Sequence, residues 1–169
     1  DKTYEFARRG EFTILDAYLR ALRSARRLVY LENQFLWSPE VADVLIDKLA
    51  DPPDDRFRVV LLLPRKPSNG ADTTRGQLGR LREADTGNRL LATTISTHDG
   101  DDSAPVYVHA KLGIVDDEWM TIGSANLNEH SLFNDTEERY RRTLTLDHPD
   151  ARVFLEGRRL DADFDPPPI

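Results

Sequence analysis

Two residues apart in the apolar run that ends at Val115 stand His109 and Lys111, and a small polar segment, Gly123-Ser124-Ala125-Asn126, follows shortly after. A histidine side chain, with an ordinary pKa of about 6.5, attacks as neutral imidazole or donates as imidazolium. A lysine beside it holds anionic oxygens, and the hydroxyl of Ser124 and the amide of Asn126 can take up charge that develops in a transition state. These residue types suit a phosphodiester: Lys111, Ser124 and Asn126 grip its oxygens while His109 transfers protons or attacks phosphorus. Asp116 lies seven residues past His109, an odd separation that turns it to the other face of an unbroken strand, and it also falls at a turn. It is therefore expected to be structural or supporting, not the carboxylate that orients the histidine. Zero cysteines remove thiolate ligands, no cluster has metal-ligand spacing, and neither metal nor cofactor is expected.

These side chains need elements to position them. Val106–Val115 and Trp119–Ser124 read as adjacent strands, and in the first His109 and Lys111 project to one face. A two-residue turn at Asp116-Asp117 sets His109 across from Ser124, and a four-residue turn sets it across from Asn126. A three-residue loop would place neither there. Upstream, Phe12, Leu15, Leu19 and Leu22 recur at helical spacing, predicting a helix over 11–26. Leu28 to Leu31 is a short buried strand running into Glu32-Asn33-Gln34. Ser38 before Pro39 is a helix start, with Val41, Val44, Leu45 and Leu49 as its apolar stripe and Asp51-Pro52-Pro53 as its stop. Phe57 to Leu63 is a strand apolar enough to be covered on both faces. A loop over 64–72, a helix over 77–83, a weaker strand over 90–96 and an acidic turn over 98–102 follow. A last strand near 140–146, a helix over 150–160 and a loose tail over 161–169 complete the chain.

Helices alternating with strands predict an α/β fold, a mixed β-sheet sandwiched by helices. With 169 residues the chain is expected to form a single domain. Its 39% hydrophobic content predicts a folded chain rather than a disordered one. No apolar run approaches the roughly 20 residues that span a bilayer, and no leader is visible. A soluble chain, cytoplasmic or peripherally membrane-bound, is the expectation. Net charge of −7 argues against nucleic acid as a general ligand. The opening Asp1-Lys2-Thr3, without an initiator methionine, suggests a piece of something longer.

The spacing H-x-K-x4-D-x6-G-S-x-N, met here by His109, Lys111, Asp116, Gly123, Ser124 and Asn126 without a gap, resembles the phospholipase D superfamily. Tyr107-Val108-His109-Ala110-Lys111, Ile122 to Asn128 and Ser131-Leu132 look like the second half of its two-motif enzymes. Tyr30-Leu31-Glu32-Asn33-Gln34-Phe35 is similar to the I-E-N-Q-[FY] box that precedes the second motif there. The Asn134-Asp135-Thr136-Glu137 end looks bacterial rather than plant or animal.

The resemblance implies phosphodiester cleavage or exchange on phospholipids through a phosphohistidine intermediate, without a metal. It makes His109 the general acid/base, Lys111 and Asn126 phosphate ligands, Ser124 a lesser one, and Glu137 the carboxylate that orients His109. Such chemistry uses two histidines and the pattern occurs once, so the second comes from a missing N-terminal half or from a second identical chain. Other readings are a homodimeric single-motif nuclease and a non-catalytic phosphate-binding scaffold. Glu32, Asn33 and Gln34 stay open between turn chemistry and substrate contact. Arg65 and Lys66 read as a solvated loop, His98, His130 and His148 as surface residues, and the Arg8-Arg9 and Arg139/Arg141/Arg142 clusters as charged faces.

Overall fold

A computed structural model describes residues 12–134 and 139–140. Among these residues the sheet has six strands, lying in the order β3 (Leu90–Thr93), β2 (Arg58–Leu62), β1 (Leu28–Glu32), β6 (Leu112–Val115), β7 (Trp119–Gly123) and β8 (Arg139–Tyr140). β1, β2 and β3 run parallel, while β6, β7 and β8 add on antiparallel from β1 outward. β4 (Ser96–Asp99) and β5 (Asp102–Pro105) form a separate hairpin. The sheet is thus mixed, as expected, with its change of direction at the β1–β6 seam.

Alternation along the strands decides which face takes the core. Val29, Leu31, Val59, Leu61 and Val115 join one cluster with residues from α1 (Thr13–Ser24), α2 (Pro39–Ala50) and α3 (Ala71–Ala84). α1 contributes Leu15, Tyr18 and Leu22, and α2 contributes Val41, Val44, Leu45 and Leu49. Ser38 caps α2 by accepting the Val41 N–H at 3.3 Å, with Pro39 in the first turn where its missing N–H costs nothing. At Gly113 the helix side comes very close: an added Cβ would meet Trp119 and Tyr18 at 3.2 Å and Leu31 at 3.3 Å. Tyr18 and Trp119 pack edge to face there, with ring centroids 5.4 Å apart.

Several sequence expectations change. α3 begins six residues earlier than the predicted 77, at Ala71. Gly70 precedes it at φ +57°, with the Trp37 ring filling the space where a Cβ would stand. The acidic turn over 98–102 is the tip of the β4–β5 hairpin, turning at Gly100 with φ +58°. Strand β6 starts at Leu112, not Val106, so His109 and Lys111 enter the sheet rather than lie in it. A π-helical turn over His130–Asn134 had no periodic signal to predict it. Only the start of the 140–146 strand is described. The 150–160 helix and the 161–169 tail lie outside the described residues. Among those residues no helix is long and apolar enough to cross a membrane.

On the other face of β1, Tyr30 donates to Glu32 Oε2 at 3.1 Å, the two being side by side at i and i+2. Burial first, then the Glu32 charge and this hydrogen bond, push the Tyr30 phenol up to about 12. A raised folded-state pKa stabilises the neutral form, so the contribution is complete below pH 10 and is lost as pH climbs from about 10 to 12. Alkaline unfolding should therefore steepen across that window, and Tyr30→Phe should flatten it. A pH-stability curve unchanged by Tyr30→Phe would refute this.

Candidate active site

The parallel strands place their C-terminal ends together, which is where open α/β sheets present ligand-binding loops. Glu32 at the end of β1 pairs with Leu112 at the start of β6, and Leu112 pairs with Ile122 near the end of β7. Residues 33–37, 64–70, 106–111 and 124–128 therefore emerge at one end of the sheet. Asp116 sits at the opposite end of β6.

The hairpin register differs from both productive alternatives. Val115 pairs with Trp119 across a three-residue loop, Asp116-Asp117-Glu118, which in an unbroken ladder would set Ala125 across from His109. The Glu118 N–H closes a tight turn onto Val115 O at 3.0 Å, with Asp116 at φ +54° and Asp117 at φ +64°. Aspartate tolerates this left-handed region better than most residues. Pairing resumes one residue later, at Trp119. Side-chain placement at the site therefore comes from the irregular segments flanking the strands, not from ladder register.

Asp116 explains that turn. Its carboxylate accepts three consecutive backbone N–H groups, Arg26 at 2.6 Å and Arg27 and Leu28 at 2.7 Å, while its own N–H donates to Leu28 O at 2.9 Å. It ties the α1–β1 connection to the β6–β7 turn. At about 3.3 Å of rise per residue, five residues put it roughly 16 Å from Lys111, out of reach of the histidine.

Lys111 is 7% exposed, and its ammonium donates to His109 O at 2.7 Å and to Gln34 Oε1 at 3.4 Å. Gln34 Nε2 in turn donates to Tyr107 OH at 2.8 Å and to Ser68 Oγ at 3.4 Å. The Tyr107 oxygen also accepts the Ser68 backbone N–H at 3.1 Å. His109 itself is exposed, its ring 6.4 Å from that of Tyr107. A buried lysine thus lies behind an open histidine.

The Glu-Asn-Gln segment divides its work. Glu32 is committed to Tyr30, and Gln34 to Lys111. Asn33, 1% exposed, accepts the N–H groups of Phe35 and Leu127, each at 3.2 Å. Leu127 O receives the N–H groups of Trp37 at 2.8 Å and Ser38 at 3.0 Å. This knot fixes the backbone next to Asn126. The Asn126 amide oxygen is buried with no hydrogen-bond partner among the described residues, as is Asn33 Nδ2. Such orphaned atoms cost about 1–3 kcal/mol each and call for an explanation; a site that orients an amide toward a ligand provides one. Gly123 donates its N–H to Lys111 O at 3.2 Å, and Ser124 is exposed just beyond it.

Tyr107 and Ser68 were not singled out from the sequence. Tyr107 had a usable signal, standing two residues before His109. Ser68 had none, because 64–72 looked like a solvated loop. Arg65 and Lys66 in that loop are indeed exposed, as are His98 and His130. Glu137, His148 and the arginine side chains near residues 8 and 140 lie outside what is described. Among the described residues, no group of three or more histidines and carboxylates could hold a metal ion.

Known proteins share this fold. NucT from Helicobacter pylori superposes with a TM-score of 0.58 at 16% identity, over 74% of each chain. A phospholipase D family member, Nuc from Salmonella typhimurium, gives 0.55 at 17% identity, over 87% of this chain and 84% of that one. Both share the fold. Phospholipase D2 of Bos taurus is 30% identical over 161 residues, covering 72% of this chain but 17% of that protein. Phospholipase D1 of Homo sapiens is 26% identical, again over 72% of this chain and 15% of that protein. The chain thus spans less than a fifth of these curated relatives. The family described as "Cardiolipin synthase, PLD-like domain" matches residues 18–141. With that match covering most of its length, and with its α/β fold shared by Nuc and NucT, the chain belongs to the phospholipase D superfamily.

Proposed function

We propose that this chain is the acid/base half of a phospholipase D-type phosphodiesterase, cleaving or exchanging phospholipid head groups through a phosphohistidine formed on a second histidine. One observation carries the reading: Lys111 is held buried between Gln34 and the His109 carbonyl, behind an exposed His109, at the sheet end where Asn126 emerges. In this assignment Lys111 and Asn126 bind the phosphate oxygens, with a lesser contact from Ser124. His109 protonates the leaving alcohol and then takes a proton from water or an acceptor alcohol. Glu137 orients its ring. The phosphorus–oxygen bond breaks as the nucleophilic histidine attacks, and the second step returns that histidine free. The nucleophile is supplied by an N-terminal half with a motif of its own. Membrane contact is peripheral, through the lipid substrate.

A second reading has one specific observation behind it. This chain covers 84% of the solved Nuc chain, so the two are of similar length. Two copies of this chain would then face each other with two His109 residues, as in a homodimeric nuclease.

Solution mass by light scattering, measured with hydrolysis of a phosphatidylcholine analogue and of an aryl phosphodiester, separates the two. The first reading expects this chain alone to be inactive and the full-length protein to turn over the lipid. A stable dimer of this chain alone that hydrolyses the aryl diester would sink it in favour of the second.

A further inference from the structure

We propose that Asn33 is a positioning residue for Asn126, setting through the Leu127 peptide where that amide meets the phosphate; this rests on the phosphodiesterase reading above. The Asn33 side-chain oxygen accepts two backbone N–H groups, those of Phe35 and Leu127, each at 3.2 Å. Neither donor can turn into an acceptor, and a reversed carboxamide would set its NH₂ against both. The main chain therefore settles which way Asn33 faces. The bond to Phe35, two residues on, is the local turn that an asparagine makes with its own backbone. The bond to Leu127 reaches across 94 positions, to the segment that carries Asn126.

A peptide unit is planar, and the plane that holds the Leu127 N–H also holds the Asn126 Cα. Fixing that N–H fixes the point from which the Asn126 side chain starts. The rest of Leu127 is held by the same stretch of chain. Its carbonyl takes the Trp37 and Ser38 N–H groups at 2.8 and 3.0 Å, and it bridges to Leu36 in parallel. Asn33 is itself anchored to the sheet, its N–H donating to Leu62 O at 3.1 Å at the end of β2. Among the described residues nothing hydrogen-bonds the Asn126 amide oxygen, so that amide is aimed by its backbone and not by a side-chain partner. Asn33 is 1% exposed, and water cannot easily replace the acceptor it provides. Its single oxygen thus joins a turn to a phosphate ligand.

The test is a double-mutant cycle in the full-length protein, read as kcat/KM for the phosphatidylcholine analogue well below the melting point of every variant. Asn33→Leu keeps a branched side chain and removes the acceptor. It should lower kcat/KM by about 10- to 100-fold, the scale of a small misplacement at a reacting centre. On an Asn126→Ala background the same change should cost less than about twofold, because the group it positions is already gone. Lost stability alone would act equally on both backgrounds. If Asn33→Leu yields no folded protein, Asn33→Ser takes its place with the same expectations, since its shorter hydroxyl cannot span both N–H groups.

A second readout follows the phosphate oxygens. The two phosphorothioate epimers of the analogue differ in which non-bridging oxygen is sulfur, and Asn33→Leu should shift the preference between them in the same direction as Asn126→Ala. Equal losses on the two backgrounds overturn the proposal and leave the reaction in place. So does an Asn33→Leu protein with the wild-type epimer preference, or one whose kcat/KM stays within about twofold of wild type. An Asn126→Ala protein with unchanged turnover removes Asn126 from the reaction, and its positioning by Asn33 falls with it.

Discussion

His109→Ala in the full-length protein lowers steady-state turnover of a phospholipid analogue by about 10²–10⁴-fold, the range of a positioned general acid/base. Stability should barely move, because His109 is exposed and among the described residues its ring packs only near Tyr107, at 6.4 Å, and such surface changes stay within about 0.5 kcal/mol. The leaving group decides which role has been lost. A lipid alkoxide leaves poorly without a proton, whereas a nitrophenolate needs none. With a nitrophenyl diester, His109→Ala should therefore release nitrophenol in a stoichiometric burst and then stop, since the covalent intermediate lacks the base that activates water. A burst says that His109 is the acid/base and that the nucleophile is elsewhere. Loss of the burst with the steady state would make His109 the nucleophile, and near-normal turnover would remove it from the reaction.

Asp116→Asn should separate stability from chemistry in the opposite direction. The wild-type carboxylate uses Oδ1 for two N–H groups and Oδ2 for the third, all at 2.6–2.7 Å. An asparagine keeps only one oxygen, so its NH₂ must face an N–H donor on one side, and the charge that strengthens the remaining bonds is gone. The expected cost is about 2–3 kcal/mol, since hydrogen bonds to charged groups contribute roughly 1.5–3 kcal/mol each. For a domain of this size that lowers the melting temperature by roughly 5–10 °C. Turnover per folded molecule, measured well below the melting point, should stay within about threefold of wild type. A catalytically dead variant with an unchanged melting temperature would contradict the structural role.

The local parts of this molecule were legible from residue types and spacing. Ser38-Pro39 marks a helix start because an N-cap hydroxyl and a proline are both satisfied there, and the structure begins α2 at Pro39. The apolar runs over 57–63 and 28–31 needed only the composition of short buried strands. α3 began early because its first residues, Ala71 to Gly76, carry no apolar stripe; Gly70 and the Trp37 ring above it set the start instead. The π-helical turn and the three-residue hairpin loop likewise have no period to read.

The motif residues themselves, His109, Lys111, Asp116, Gly123, Ser124 and Asn126, came from the sequence by type and spacing, and the superfamily came from the resemblance of that pattern to a known family. Tertiary structure decided what surrounds each of them. Strand parity assumed a ladder reaching back to Val106, and the ladder begins at Leu112, so the lysine is placed by a glutamine 77 positions earlier in the chain. Asp116 finds its partners 88 to 90 residues away, and Tyr107 finds Ser68 across a loop that composition alone describes as solvated. Periodicity reports which face of an element is buried, because burial repeats with the backbone. A single polar contact between two irregular segments repeats with nothing, and it exists only once the sheet has brought its strand ends together.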